Sequence, residues 1–174
     1  MSLNAYAKEC LFLSLLDLME QKHFQDISIT ELAKKAGFSR MTFYRNYRIK
    51  EDILLEYIQQ NTSKIINSFK TNKEMDEMQF LVLFFSTFRS EKRLIKNLIY
   101  SNLTHLLNVS FQNNAEYLIS ESEETGLYKD VLVEPYKMHF IAGGLIEVLI
   151  KWSQQSMNES DLEMAQRISR YLHI

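Results

Sequence analysis

Leu11, Leu15, Leu18 and Met19 recur at i, i+4, i+7 and i+8, a spacing that puts all four on one face of a helix. The pattern predicts a first helix ending near His23-Phe24. Ser28 follows with Glu31 three residues on, the spacing of a capping box at a helix start. Ile29, Leu32, Ala33 and Ala36 then resume the helical stripe, and Gly37 ends it because glycine accepts the left-handed backbone of a helix C-terminus. Ser39 can cap a third short helix, where Phe43 and Tyr47 form an i, i+4 apolar pair. The opposite face of that helix carries Arg40, Met41, Thr42, Tyr44 and Arg45.

Beyond Ile53 the stripe runs on through Tyr57, Ile58, Ile65 and Phe69, which predicts one long helix joining a head to a body. Helical segments are predicted over Met75 to Phe88, Lys92 to Tyr100 and Leu103 to about Ile119, with Glu121 to Gly126 as a charged helix end and turn. Pro135 suits a first helical turn, and the apolar stretch from Tyr136 to Trp152 is too long for a strand. Gly143 and Gly144 therefore sit inside a helix, at a cost of about 1 kcal/mol each. Close approach of a neighbouring backbone is the usual compensation. A last helix is predicted from Ser160 to Leu172, with Leu162, Ala165, Ile168 and Leu172 as its apolar face. The reading is all-α, with no internal repeat or low-complexity stretch: a headpiece over residues 1–62, its two-helix unit at 28–47, and a helical body over 63–174.

Composition agrees with the absence of strands. Four Gly and one Pro in 174 residues are about 3% against the roughly 12% of an average protein. Sandwiches, barrels and Gly-rich nucleotide folds need more turns than that. A single cysteine, Cys10, forms no intramolecular disulfide, so a reducing cytoplasm is the expected location. The longest apolar runs, Phe80 to Phe85 and Phe140 to Ile146, fall far short of the ~20 residues of a membrane span. No secretory leader is expected.

Charge is uneven. Residues 1–50 hold eight Lys and Arg against five Asp and Glu, a surplus of three; with −2 for the whole chain, the remainder carries −5. A basic head suits an anionic partner, although a fluctuation of a few charges gives the same count. Enzyme chemistry finds no foothold. His23, His105, His139 and His173 lack metal-ligand spacing, no Gly-x-Ser-x-Gly or Gly-rich phosphate loop occurs, and Glu123-Glu124 falls in the predicted turn. No catalytic residue, metal or cofactor is expected.

Two short helices joined through Gly, the second with polar and basic side chains outward, form a helix-turn-helix pattern. In that geometry the second helix enters the DNA major groove. An ordinary helical hairpin with a solvated face has the same spacing. The residues add more. Within Ser28 to Leu54, Ala36-Gly37-Phe38-Ser39, then Thr42-Phe43-Tyr44 to Tyr47, then Lys50-Glu51-Asp52-Ile53-Leu54 resemble the DNA-binding headpiece of the TetR family of transcriptional regulators. The resemblance implies phosphate contacts from Thr30, Ser39, Thr42, Tyr44 and Lys50, with Arg40, Met41 and Arg45 nearest the base edges and Phe43 and Tyr47 in the core. His23, Met41 and Tyr47 depart from the family's usual residues, the first and last expected to alter packing only. Physical chemistry favours the same roles: Lys50 adds a point charge beside the free N–H groups of the next helix, and Arg45 can bind guanine in bidentate fashion.

Tyr136 to Gly144 and the run to Trp152 resemble the C-terminal domain of TetR-type regulators common in Gram-positive bacteria. This resemblance implies that the helix and the last one build a dimer's four-helix bundle, with Phe140, Gly143, Gly144, Glu147, Val148, Lys151, Leu162, Ala165 and Ile168 at the interface. An internal helix pair in a monomer is the alternative. The family also implies a small-molecule effector. Aromatic residues are plentiful in the middle helices, and Phe84, Phe88, Tyr100, His105, Phe111 and His139 are the candidates to line a pocket for a small apolar or aromatic ligand, each equally suited to an ordinary core. The expectation is a homodimeric regulator that binds double-stranded operator DNA, a repressor released from a palindromic site by its effector. The alternative is a co-activator or protein-binding member that has lost DNA specificity.

Overall fold

The computed structural model describes residues 3–72, 75–114 and 135–172. Its first helix, α1 (Leu3–Met19), buries the predicted face of Leu11, Leu15, Leu18 and Met19, together with Phe12 and Leu16. It stops at Met19, short of the expected end at His23, and a 3-10 turn at Phe24–Asp26 follows, with Phe24 buried. α2 (Ile29–Lys35) and α3 (Arg40–Asn46) complete the headpiece, and α4 (Glu51–Thr71) leads into the body. There follow α5 (Glu77–Ser90), α6 (Lys92–Tyr100), the helical stretch 105–114 (α7), α8 (Pro135–Gln154) and α9 (Asp161–Leu172). No strand occurs among the described residues. The expected helix end at Ile119, the turn from Glu121 to Gly126, Tyr117 and His173 lie outside the described residues, as does the side chain of Phe69.

Local chemistry explains the boundaries. The Ser28 hydroxyl accepts the Glu31 N–H at 3.1 Å, which is half of the expected capping box. The other half is missing because the Glu31 carboxylate turns to Lys22, 2.6 Å away. Gly37, at φ +77°, ends α2 while Gly37 N–H bonds Lys34 O at 3.1 Å and Phe38 N–H bonds Ala33 O at 2.9 Å, the paired bonds of a Schellman cap. The same cap closes α6 at Asn102 (φ 55°) and α8 at Ser156 (φ 65°), where no glycine announces it.

The helices share one apolar core. α5 is covered by α9 on one side and by α4 on another, while α8 packs against α6. Trp152 is buried with its ring edge-to-face with Phe85, centroids 5.4 Å apart, and the Arg89 guanidinium 4.6 Å from its own centroid. Arg89 also donates to Asp161 at 2.6 Å, to Met157 O at 2.9 Å and to Glu159 O. It thereby fixes the connection between α8 and α9.

Two of the residues expected at a dimer interface, Ala165 and Ile168, are buried within the chain, with Met164, on α9, which packs on α5. α5 carries Leu81, Phe84, Phe85 and Phe88, and α9 keeps that surface from water. Leu162, by contrast, is 52% exposed.

Head and body meet where α6 crosses α1. Arg93 of α6 grips Glu20 with Nε at 2.7 Å and Nη2 at 2.9 Å, and Nη2 reaches Asp17 at 2.5 Å. Asp17 in turn lies 3.4 Å from Lys35 of α2. Hydrogen bonds and charge from Arg93 hold the Asp17 and Glu20 carboxyls below their usual range. Carboxylates depressed in the folded state add stability above their unfolded pKa, near 4, and lose it as pH falls through the folded value. Arg93→Met is therefore expected to lower the melting temperature at pH 7 by a few degrees at most. Exposed ion pairs contribute about 1 kcal/mol or less. The difference from wild type should close as pH falls below about 4; melting curves that stay equally separated at acid pH contradict the clamp.

Candidate nucleic-acid interface

The recognition candidate α3 is fixed from below and capped at its start. Phe43 is fully buried and Tyr47 nearly so, which sets the rotation of this short helix. The Ser39 hydroxyl accepts the Thr42 N–H at 3.2 Å and shares a hydrogen bond with the Thr42 hydroxyl at 3.1 Å, so one hydroxyl proton of the pair stays free to donate. With the apolar side committed to the core, Arg40, Met41, Tyr44 and Arg45 are left in solvent, Met41 70% exposed. The Arg40 guanidinium lies 6.0 Å from the Tyr44 ring centroid. Thr30, in the first turn of α2, and Ser39 are exposed as well, and Thr42 is half-buried. An open groove of about 430 Å³, walled by Tyr44, Arg45, Arg48, Asp52 and Glu56 among others, runs beside the end of α3.

Tyr47 does more than pack. Its hydroxyl donates to Glu56 at 2.7 Å, and Lys8 of α1 donates to the other oxygen of the same carboxylate at 2.7 Å. Burial, and after it the Glu56 carboxylate, pushes the Tyr47 phenol above its ordinary pKa. Burial alone would raise Glu56, yet the bonds from Lys8 and Tyr47 outweigh it and keep the carboxyl below its usual range. Tyr47 thus joins the end of α3 to both α1 and α4. Sequence reasoning anticipated an effect on packing only.

Lys50 also differs from expectation. Its ammonium donates to the carbonyl oxygens of Phe24 and Ile27, each at 2.6 Å, and lies 4.4 Å from the Phe24 ring centroid. Burial lowers its pKa. The ammonium expected to contact a phosphate faces inward here, onto the Ile27 carbonyl and onto the Phe24 carbonyl that also accepts the Ile27 N–H.

The effector candidates divide. Phe84 and Phe88 are fully buried with centroids 5.1 Å apart, and half-buried Phe111 lies 5.7 and 5.9 Å from them. Tyr100 is 61% exposed and stacks on His23 at 5.8 Å, and His105 and His139 are exposed. Tyr100 and His105 stand apart from the aromatic cluster because α6 and α7 bury other faces, through Leu94, Ile95 and Leu98 and through Leu106 and Leu107, and His139 lies on α8. Near Phe111 lies a buried polar knot that no sequence signal announces. Thr62 and Ser110 share a hydrogen bond at 2.8 Å, and Asn114 donates to Thr62 at 2.8 Å.

On α8, Tyr136, Phe140, Gly144, Glu147 and Lys151 form one exposed stripe, with Tyr136 80% and Phe140 79% exposed. Gly143 and Val148 beside it are half-buried. A Cβ built on Gly143 or Gly144 meets nothing within 4 Å among the described residues. Among the described residues no His, Cys, Asp and Glu group could hold a metal, and no helix is long and apolar enough to cross a membrane.

Residues 15–57 match the model of the bacterial regulatory proteins of the tetR family, and residues 76–174 match that of a transcriptional regulator C-terminal region. No curated protein matches the chain. Its fold is similar to that of Lin0861 from Listeria innocua, with TM-score 0.76 and 18% identity over 99% of this chain and 94% of that one. It is similar also to the fatty acid degradation regulator FadR from Bacillus halodurans, with TM-score 0.59 and 17% identity over 95% and 93%. The dihydroxyacetone kinase operon activator DhaS gives TM-score 0.59 and 16% identity over 95% and 93%. At these identities the likeness is one of fold.

Proposed function

The chain belongs to the TetR family of bacterial transcriptional regulators, and on that basis we propose that it acts as a homodimer binding a palindromic operator, a repressor released by a small apolar or aromatic effector. The observation that carries the DNA-binding part is the exposed face of α3. Arg40, Met41, Tyr44 and Arg45 stand in solvent on a helix whose rotation is fixed by buried Phe43 and Tyr47. Side chains on a preset helix lose little freedom when they meet a groove. Arg40, Met41 and Arg45 read base edges, and Thr30, Ser39, Thr42 and Tyr44 hold phosphates.

Dimerisation runs through the α8 stripe of Phe140, Gly144, Glu147 and Lys151, flanked by Gly143 and Val148, and takes in exposed Leu162 of α9. A second copy would supply the neighbour that the two glycines lack among the described residues. The two-fold axis then sets two recognition helices about 34–36 Å apart along the duplex, or a multiple of it. The effector acts in the body, where Phe84, Phe88 and Phe111 offer an apolar wall, and it shifts head spacing only by its difference in affinity for the two forms.

Arg45→Ala tests the reading of bases. On duplexes selected from genomic fragments, it is expected to cut the ratio of operator to random-sequence affinity about tenfold or more per half-site, in line with roughly 1–3 kcal/mol per bidentate base contact. Equal losses on operator and random DNA contradict a base-reading role. Wild-type binding insensitive to salt and to operator scrambling would instead favour a protein-binding member of the fold.

A further inference from the structure

The eight cations of residues 1–50 fall into two sets. Lys8 is paired with Glu56, Lys22 with Glu31 and Lys35 with Asp17, and Lys50 is held by two carbonyl oxygens. These four are neutralised or committed inside the protein. Lys34, Arg40, Arg45 and Arg48 are exposed, and none of them forms a side-chain ion pair among the described residues. Half of the head's cations are therefore already engaged within the protein.

Arg48 belongs to the available set and occupies the turn between α3 and α4. The Asp52 carboxylate accepts the N–H groups of both Arg48 and Ile49, at 2.8 and 3.0 Å, which clamps this turn to the start of α4. From it the Arg48 side chain reaches the rim of the groove that Arg45 and Tyr44 also wall. Lys50, two residues on, points the other way and ties the Phe24–Asp26 turn to α4.

We propose that Arg48 supplies the sequence-independent phosphate contact at the α3–α4 turn, and that Lys50 is a positioning residue that holds the headpiece together. The proposal rests on the DNA-binding reading above and deepens it. A guanidinium on a clamped turn beside the recognition helix can take a phosphate in bidentate fashion. Lys50 would have to give up two short hydrogen bonds and an aromatic contact to do the same.

The test uses the full chain, with wild type, Arg48→Gln, Arg48→Lys and Lys50→Met titrated against a labelled random-sequence duplex over a series of salt concentrations. Each phosphate contact contributes about 0.9 to the slope of log affinity against log salt. Arg48→Gln is expected to flatten the slope by about that amount per bound head and to weaken low-salt binding several-fold, with the melting temperature unchanged. Arg48→Lys should restore the slope. Lys50→Met should lower the melting temperature and, measured below it, keep the wild-type slope. A wild-type slope in Arg48→Gln, or an equal flattening in folded Lys50→Met, overturns the proposal; the Arg48 variants decide it alone if Lys50→Met does not fold. Wild-type protein that binds no duplex at low salt would refute the DNA-binding reading itself, an outcome distinct from a shift in which cation carries the slope.

Discussion

Phe140→Glu is expected to turn the protein from a dimer into a monomer and to lower operator affinity by about a hundredfold or more, while the headpiece stays folded. Phe140 is 79% exposed, and the same stripe of α8 carries Tyr136 at 80%. Burying such a ring is worth roughly 1.5–3 kcal/mol, and a two-fold interface counts it twice. The substitution removes that gain and sets new carboxylates beside exposed Glu147. Loss of the interface uncouples two half-sites, and each 1.4 kcal/mol of lost coupling is tenfold in affinity. Because Phe140 touches nothing in the core, the monomer should melt as a folded protein. Sedimentation and duplex binding on the same sample check both halves of the result. A variant that stays dimeric at wild-type affinity contradicts the assignment of this face.

Phe43→Ala is expected to cost about 3–5 kcal/mol and to unfold the headpiece, the usual range for a fully buried aromatic. Phe43 meets Tyr44 edge-to-face at 5.3 Å and Tyr47 at 6.0 Å, so its ring supports the C-terminal half of the recognition helix. Whole domains are stable by only about 5–15 kcal/mol, and a small headpiece has little to spare. DNA binding should vanish while the body still dimerises. Hydrogen exchange over α2 and α3 measures this directly, and wild-type protection there would contradict the packing role of Phe43.

The core side of α3 is legible in the sequence. Phe43 and Tyr47 sit at helical spacing between a serine cap and a Lys-Glu segment, and local periodicity is enough to make them core. Gly37 and Ser39 are likewise local signals, and the structure keeps both. The α9 stripe was equally clear as an apolar face, but periodicity says that a face is covered and not by what. Ala165 and Ile168 lie against α5 of the same chain. The caps at Asn102 and Ser156 escaped notice because a left-handed residue without glycine leaves no mark in composition.

Long-range partners explain the rest. Lys50 reaches carbonyls of Phe24 and Ile27, and Glu56 collects Lys8 from α1 and Tyr47 from the end of α3. Neither pairing follows from spacing along the chain. The charge count of the head was correct as arithmetic, yet its consequence changed once half of those cations found internal partners. The aromatic wealth of the middle helices was visible too, but only the fold separates packed Phe84, Phe88 and Phe111 from exposed Tyr100, His105 and His139.

If a two-fold pair of α3 helices reads an inverted repeat, selection of duplexes from a random pool by the purified protein, followed by footprinting of the recovered sequences, should yield an enriched inverted repeat with half-site centres about 34–36 Å apart, or a multiple of that helical turn, protected symmetrically. Recovered duplexes without inverted symmetry, or no enrichment over the starting pool, would contradict that reading.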